Sequence, residues 1–348
     1  MSNFFPEPPT INVNKLKSLH KPRFVLIAFI FFVAIFTANS AKASNTKTLV
    51  LDSVDVNMST SLDSDTIKIK NAEISASGTY DKKLNWGFGV NTFEISAGQS
   101  SGLRTGNINS DTVDYYQPWF GLRSPFYKTL NADIKLGYET TSEGSKTTSW
   151  EVAFDGYFFN SLYGRIFIDH MLYAVSPLAI SRDIDADLYG LEANWSPAGR
   201  FHLSGGINYM NLSDHNTRWH GMLAPAWSVS KTDVFDFTLG LKGLYFRFDK
   251  DLGNGYYDPQ EAQKYLLTYD IGIHEPGIGD WRFSGAAGRR KDERIGEFDY
   301  ALEFSADGNF TLHPGIDLGL RASALREGGG DFQPYWWHEF GLNVTARF

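Results

Sequence analysis

Apolar and polar residues alternate along most of this chain, most regularly over its last stretch, Tyr335 to Phe348. Trp336, His338, Phe340, Leu342, Val344, Ala346 and Phe348 fall on one face, all apolar except the histidine. Glu339, Gly341, Asn343, Thr345 and Arg347 fall on the other. A period of two predicts a strand with one apolar and one wet side. The same pattern recurs upstream. Leu130, Ala132, Ile134, Leu136 and Tyr138 oppose Asp133, Lys135 and Glu139. Trp150, Val152 and Phe154 oppose Glu151 and Asp155. Tyr265, Leu267, Tyr269, Ile271 and Ile273 oppose Thr268, Asp270 and His274. Phe298, Tyr300, Leu302 and Phe304 oppose Asp299 and Glu303, and Ile316, Leu318, Leu320 and Ala322 oppose Asp317 and Arg321.

Segments of about ten such residues, separated by turn residues, are the signature of a transmembrane strand series. A flat amphipathic strand at a chain end is an exposed edge, and closure of the sheet removes that edge. The expected fold is an all-β, antiparallel, up-and-down transmembrane barrel. Walking back from Phe348 places about sixteen strands from near Lys47 onward, with about fourteen or eighteen as the neighbouring even counts. Both termini then lie on the periplasmic side.

On that walk the periplasmic turns are short and include Ser124 to Phe126 and Ala306 to Gly308. The outer loops include Asn57 to Asp65, Gly98 to Asp111, Val175 to Asp185, Asp249 to Gln260 and Arg326 to Pro334. Two strands slip out of phase, near Gly89 to Phe93 and near Leu241 to Phe248, and β-bulges are expected there. Trp86, Trp195, Trp227 and Trp281 fall near one end of their strands, and Trp150, Trp219 and Trp336 near the other. Two belts of amphipathic rings mark the two membrane interfaces. A two-sheet sandwich also alternates, but it has no reason to sort its tryptophans to strand ends.

Composition agrees. Aromatic residues make up 15%, with 33 glycines and no cysteine, so disulfides and thiolate metal sites are excluded. The mean hydropathy of -0.28 is too low for a helical membrane protein but fits a barrel, where only alternate residues meet lipid. A net charge of -8 offers no basic footprint, so no nucleic-acid partner is expected. Residues 1–43 read as an export signal. Lys15, Lys17, Lys21 and Arg23 precede the apolar run Phe24 to Ala38, and Ala41-Lys42-Ala43 is an A-x-A cleavage site. The barrel domain is then 44–348. The run is shorter than the roughly 20 residues that a spanning helix needs.

The inward face carries the candidate pore-lining residues Asp133, Lys135, Glu139, Glu151, Asp155, Asp169, Glu192, Lys242, Asp270, Asp299, Glu303, Asp317 and Arg321, with Arg165 beside them. They predict a hydrophilic conduit, mildly unfavourable to anions. A lipid-modifying enzyme is the rival from another class. His170 next to Asp169, and Ser213-Asp214-His215-Asn216, hold the needed residue types, but no G-x-S-x-G elbow accompanies them. Asp183, Asp185 and Asp187, and Asp249 with Asp251, do not complete a calcium loop. No catalytic residue, metal or cofactor is assigned. Arg289-Arg290-Lys291-Asp292-Glu293-Arg294 forms an outer hairpin suited to anionic headgroups.

Three stretches carry a resemblance. They are Ser176-Pro177-Leu178-Ala179-Ile180 with Asp185-Ala186-Asp187; Gly206-Ile207-Asn208-Tyr209 with Ser213 to Arg218; and Phe248-Asp249-Lys250-Asp251 running into Gly255-Tyr256-Tyr257-Asp258-Pro259-Gln260. In this order they resemble the C-terminal barrel of outer-membrane exopolysaccharide export porins, the class serving cellulose, poly-N-acetylglucosamine and Pel. The resemblance implies a pore that exports a polysaccharide, with Tyr256, Tyr257, Asp258, Pro259 and Gln260 as a gate or sugar-contact loop. Those porins carry tetratricopeptide repeats ahead of the barrel, and no 34-residue helical repeat is visible here. A separate periplasmic scaffold would then supply that role. The terminal stretch also resembles the signature read by the barrel assembly machinery, which gives Phe340, Leu342, Val344 and Phe348 as an assembly signal. A general diffusion porin for small solutes remains the alternative pore, and outer-membrane lipids are partners in either case.

Overall fold

The computed structural model describes residues 49–81, 83–98, 112–127, 129–293, 296–329 and 334–348. The expected export signal lies outside the described residues. The strands are β1 (Leu49–Asp63), β2 (Ile67–Tyr80), β3 (Leu84–Ala97), β4 (Thr112–Tyr127), β5 (Leu130–Thr141), β6 (Lys146–Phe159), β7 (Leu162–Leu172), β8 (Asp185–Ala198), β9 (Phe201–Leu212), β10 (Thr217–Lys231), β11 (Phe235–Phe248), β12 (Ala262–Glu275), β13 (Gly279–Asp292), β14 (Asp299–His313), β15 (Ile316–Glu327) and β16 (Tyr335–Arg347). One short helix, α1 (Pro177–Ser181), lies between β7 and β8. Every strand pairs antiparallel with its sequence neighbours, and β1 pairs with β16, so the sixteen strands close into a barrel. No helix among the described residues is long and apolar enough to cross a membrane.

The alternation sorts as expected. Leu136, Phe120, Phe154, Ile166, Leu191, Leu223, Leu241, Leu267, Leu302 and Phe340 are all exposed, and they stand on the outer surface. The seam is closed by an uninterrupted register from Ser53↔Arg347 to Asp63↔Trp337. Inside it, the Thr345 hydroxyl donates to Asp55 at 2.5 Å and the Asn343 amide donates to Asn57 at 2.5 Å.

One rim carries turns of two or three residues; the longer connections lie at the other. All the register shifts occur near the short-turn rim, at Leu51/Ser53, Pro125/Tyr127, Tyr157/Phe159, Trp195/Ala198, Ser228/Ser230 and Thr311/His313.

Several boundaries differ from the sequence expectation. Ser124 to Phe126 is the bulged end of β4 rather than a turn. Ala306 to Gly308 lies inside β14, where Gly308 pairs with Trp281. A Cβ on Gly308 would come within 2.9 Å of that indole, so this glycine makes room for a ring and not for a turn. Asn57 to Asp63 belongs to β1, leaving a tight turn at 64–66 where Thr66 takes φ 62°. Neither expected bulge exists. The registers of β3 with β2 and β4, and of β11 with β12, run without a shift. The phase changes because the inward face of each strand becomes apolar near the long-loop rim. Phe93 and Ile95 of β3, and Phe246 and Phe248 of β11, point inward against loops that fold into the mouth.

Candidate functional site

Two connections at the long-loop rim fold inward and meet. The first, 173–184, is a strap built around α1. Ser176 caps it, its Oγ accepting from the Ala179 N–H at 3.1 Å, and Pro177 occupies the first helical position. Ile180 is fully buried and packs with Ile67, Ile95, Ala97 and Val113 of β2, β3 and β4. The strap therefore leaves β7 and anchors on the wall three to five strands away. The Ser145 hydroxyl reinforces this anchor by donating to the Ile180 carbonyl at 3.0 Å. At the root of the strap the Glu139 carboxylate accepts from the Leu172 N–H and from Gln117 Nε2, both at 2.7 Å.

The second connection, 249–261, crosses to the strap. The Ser176 hydroxyl donates to the Gly255 carbonyl at 2.5 Å. Gly255 has φ 93°, and a Cβ there would lie 2.6 Å from the Ala179 nitrogen, so only glycine allows this approach. Tyr256 is buried, its ring against Tyr173 and Phe248. Its hydroxyl donates to Asp214 Oδ2 at 2.7 Å and accepts from Asn216 Nδ2 at 3.1 Å. Asn254 donates to the same Asp214 oxygen, and Asn216 also donates to the Lys250 carbonyl. Asp258 is fully buried, accepting from the Leu252 N–H at 2.7 Å. The Tyr257 hydroxyl donates to Asp292, which pairs with Arg290, which in turn pairs with Glu327. Burial, then the hydrogen bond to a carboxylate, pushes both phenols above the ordinary tyrosine range.

Beneath the strap lies a cavity of about 350 Å³, lined among others by Phe93, Tyr115, Gln117, Lys135, Asp169 and Tyr173. The wall below it is charged and laced with cross-strand ion pairs. Arg123 bridges Asp133 and Asp155, each at 2.9 Å. Arg165 pairs with Glu151, Arg282 with Asp270 at 2.7 Å, Arg321 with Asp307 at 2.7 Å, and Arg347 with Asp317 at 2.6 Å. Lys242 and Lys264 converge on Glu303 at 3.0 and 3.1 Å. The second of these pairs spans β13. Lys135 sits 4.5 Å from the Trp119 ring centre, and Trp119 donates to Glu73. Gly87 and Gly89 leave room for that indole.

Comparison with known proteins gives the fold and little more. No family model matches the sequence. No curated protein matches it either. Among solved structures, a bacterial polysaccharide outer membrane secretin aligns with TM-score 0.69 at 12% identity, over 86% of this chain and 98% of that one. CdiB from Acinetobacter baumannii aligns with TM-score 0.50 at 11% identity, over 84% of this chain and 60% of that one. OccK5 (OpdH) from Pseudomonas aeruginosa aligns with TM-score 0.45 at 11% identity, over 86% and 98%. The likeness is one of fold. This chain is an all-β, closed, antiparallel barrel of sixteen strands.

Of the residues singled out from the sequence, Asp133, Lys135, Glu151, Asp155, Asp169, Glu192, Lys242, Asp270, Asp299, Glu303, Asp317 and Arg321 alternate with the exposed apolar positions and stand on the inner surface. Glu139 shares that phase but is only 1% exposed, and it holds the strap instead of facing open lumen. Tyr256, Asp258 and Pro259 are buried. Tyr256 keeps no ring face open for stacking on a sugar, because Tyr173 and Phe248 occupy it. Gln260 is exposed, its N–H held by Glu293. The residues weighed for catalysis are dispersed into scaffolding. Ser213 accepts from the Asp185 N–H, Asp214 serves Tyr256 and Asn254, and His170 lies between Asp187 and Thr147. Arg290, expected in a hairpin suited to anionic headgroups, is instead a half-buried inward partner of Asp292 and Glu327 on β13. Sequence reasoning missed Arg123, Lys264, Arg282 and Trp119 on the wall, and Ile180 as an anchor. Strict alternation would have found the wall residues. The inward apolar phase of β3 was the available signal for Ile180.

Proposed function

We propose that this barrel sits in an outer membrane, both termini periplasmic, and exports a polysaccharide through its lumen. The carrying observation is the pairing of charges along the wall. Wall cations pair with carboxylates around the circumference, so the lumen offers many hydrogen-bonding groups and only a surplus of acids, Asp169 and Glu192 among them, in place of a ring of one charge. Ion-selective pores use rings of one charge. A wall of paired charges suits a neutral or weakly charged chain of hydroxyl-bearing rings, which slides by exchanging hydrogen bonds. The exposed apolar outer surface, bordered by tryptophans at both ends, supports a lipid setting. The fold likeness to a polysaccharide secretin and the Gly255 to Gln260 loop support the cargo.

On this reading the strap and the 249–261 loop are the gate, with Tyr256 as its hinge pin and not its sugar contact. The assembly machinery inserts the barrel through Phe340, Leu342, Val344 and Phe348, and a periplasmic scaffold delivers the polymer. The test is a clean deletion in a polymer-producing host. Surface polymer disappears and polymer accumulates in the periplasm. Unchanged surface polymer, with slower uptake of small hydrophilic solutes, would assign the barrel to diffusion instead.

A further inference from the structure

The outer surface of β13 to β16 carries a groove near the long-loop rim. Cross-strand neighbours fix its layout. Leu302, Arg326 and Trp336 form one row across β14, β15 and β16, and Phe304, Ala324 and His338 form the next. Directly opposed residues share a face, so all six point outward with Leu302 and Phe304, which are 46% exposed. Ala324 is the low floor between Phe304 and the stacked Trp336 and His338 rings, whose centres lie 5.0 Å apart. The hollow holds about 510 Å³. Arg326 is exposed.

Two more cations share this face. Arg289 of β13 lies beside Tyr300, donating to the Phe298 carbonyl at 3.1 Å, and Lys291 reaches over the Phe298 ring. Across the outward face of β13 to β16, the Arg, Lys, Asp and Glu side chains are these three, all basic and all toward one rim. On the outside of β2 and β3, by contrast, Lys70 pairs with Glu94. An apolar groove that runs down from cations with no ion pair among the described residues has the shape of an acyl chain below a phosphorylated headgroup. Arg289 and Arg326 are two strands apart, roughly 10 Å at the ordinary strand spacing. Three cations spread over that span match the charge of two phosphates better than that of one.

We infer that this face holds a bisphosphorylated, multiply acylated glycolipid, with its phosphates on Arg289, Lys291 and Arg326 and one acyl chain over Ala324. This rests on the outer surface being lipid-facing, and it is independent of what passes through the lumen.

The test titrates purified full-length protein in detergent with lipid A and counts bound lipid by native mass spectrometry. Wild type retains one lipid, and the singly phosphorylated form binds more weakly. Arg326→Gln and Arg289→Gln each lower affinity by about tenfold, the effect of losing one charge-assisted contact. Ala324→Trp fills the groove with the charges intact and lowers retention as well. Arg200→Gln, at the opposite rim, changes nothing. Equal retention by Arg326→Gln and wild type, or equal loss with Arg200→Gln, overturns the site. Complete competition by millimolar inorganic phosphate would show an anion site without a lipid, and also overturns it. Heat-modifiable migration of every variant shows that the barrel is intact, so absence of bound lipid from a folded, detergent-requiring barrel refutes this site and leaves the membrane reading standing.

Discussion

At Tyr256 packing and polarity are satisfied by one side chain. The ring closes the apolar cluster of Tyr173 and Phe248, and the hydroxyl closes the polar cluster of Asp214 and Asn216. Because burial and the carboxylate raise its pKa, the phenol stays a donor throughout the physiological range. The sign follows from linkage. A folded-state pKa raised above the unfolded value contributes stability that is complete below about pH 10 and is lost as pH climbs through the folded value. Tyr257 follows the same rule. The latch is therefore indifferent to mild acid, unlike one built on histidine. Tyr256→Phe keeps the packing and removes the donor, at a cost of about 1–3 kcal/mol for the polar groups left behind. Hydrogen exchange checks this: amides of 249–261 exchange faster, while those of β11 and β12 keep their protection.

At the scale of the element, the strap is held at its far end by one side chain in an apolar socket. Ile180→Ala removes buried methyl groups and costs about 2–5 kcal/mol. That cost falls on the strap alone, since each wall strand is paired along its length on both sides. In a planar bilayer the variant shows larger and noisier conductance than wild type, at unchanged heat-modifiability. The strands were legible from alternation, because a sheet with one apolar and one wet face imposes a two-residue period on every segment it contains. The strap was not. It follows no period, and its contacts lie on strands remote in sequence. Its trace was the pair of phase slips at Gly89 to Phe93 and Leu241 to Phe248. A bulge and an apolar inner face give the same break in pattern, and only the register separates them. Gly308 misled for a related reason: space for a neighbour's indole and freedom for a turn are both met by the missing side chain.

For the whole molecule the decisive contact is the seam between β1 and β16. Phe348 lies just past it, 53% exposed, its N–H donating to the Asp52 carbonyl at 3.1 Å. A charge at such a rim position costs a finished barrel only about 0–1 kcal/mol. If Phe348 is the assembly signal proposed above, Phe348→Asp nevertheless lowers the amount of mature barrel several-fold, because the residue is then read while the chain is being inserted. Immunoblots of outer-membrane fractions check this against the refolding yield in detergent, which stays near wild type.

The seam also sets the order of events in time. The Thr345 to Asp55 and Asn343 to Asn57 hydrogen bonds join residues 290 and 286 positions apart, whereas every other strand pairing is a local hairpin. The entropy of closing a loop grows only logarithmically with its length, so the penalty for the last pairing is modest. Its delay is not modest, because topologies that depend on remote contacts form slowly. Hairpins accumulate one after another into a curled sheet with two bare edges, and those edges persist until the first and last strands find each other. That interval is when the chain is most prone to join a neighbour's edge instead of its own.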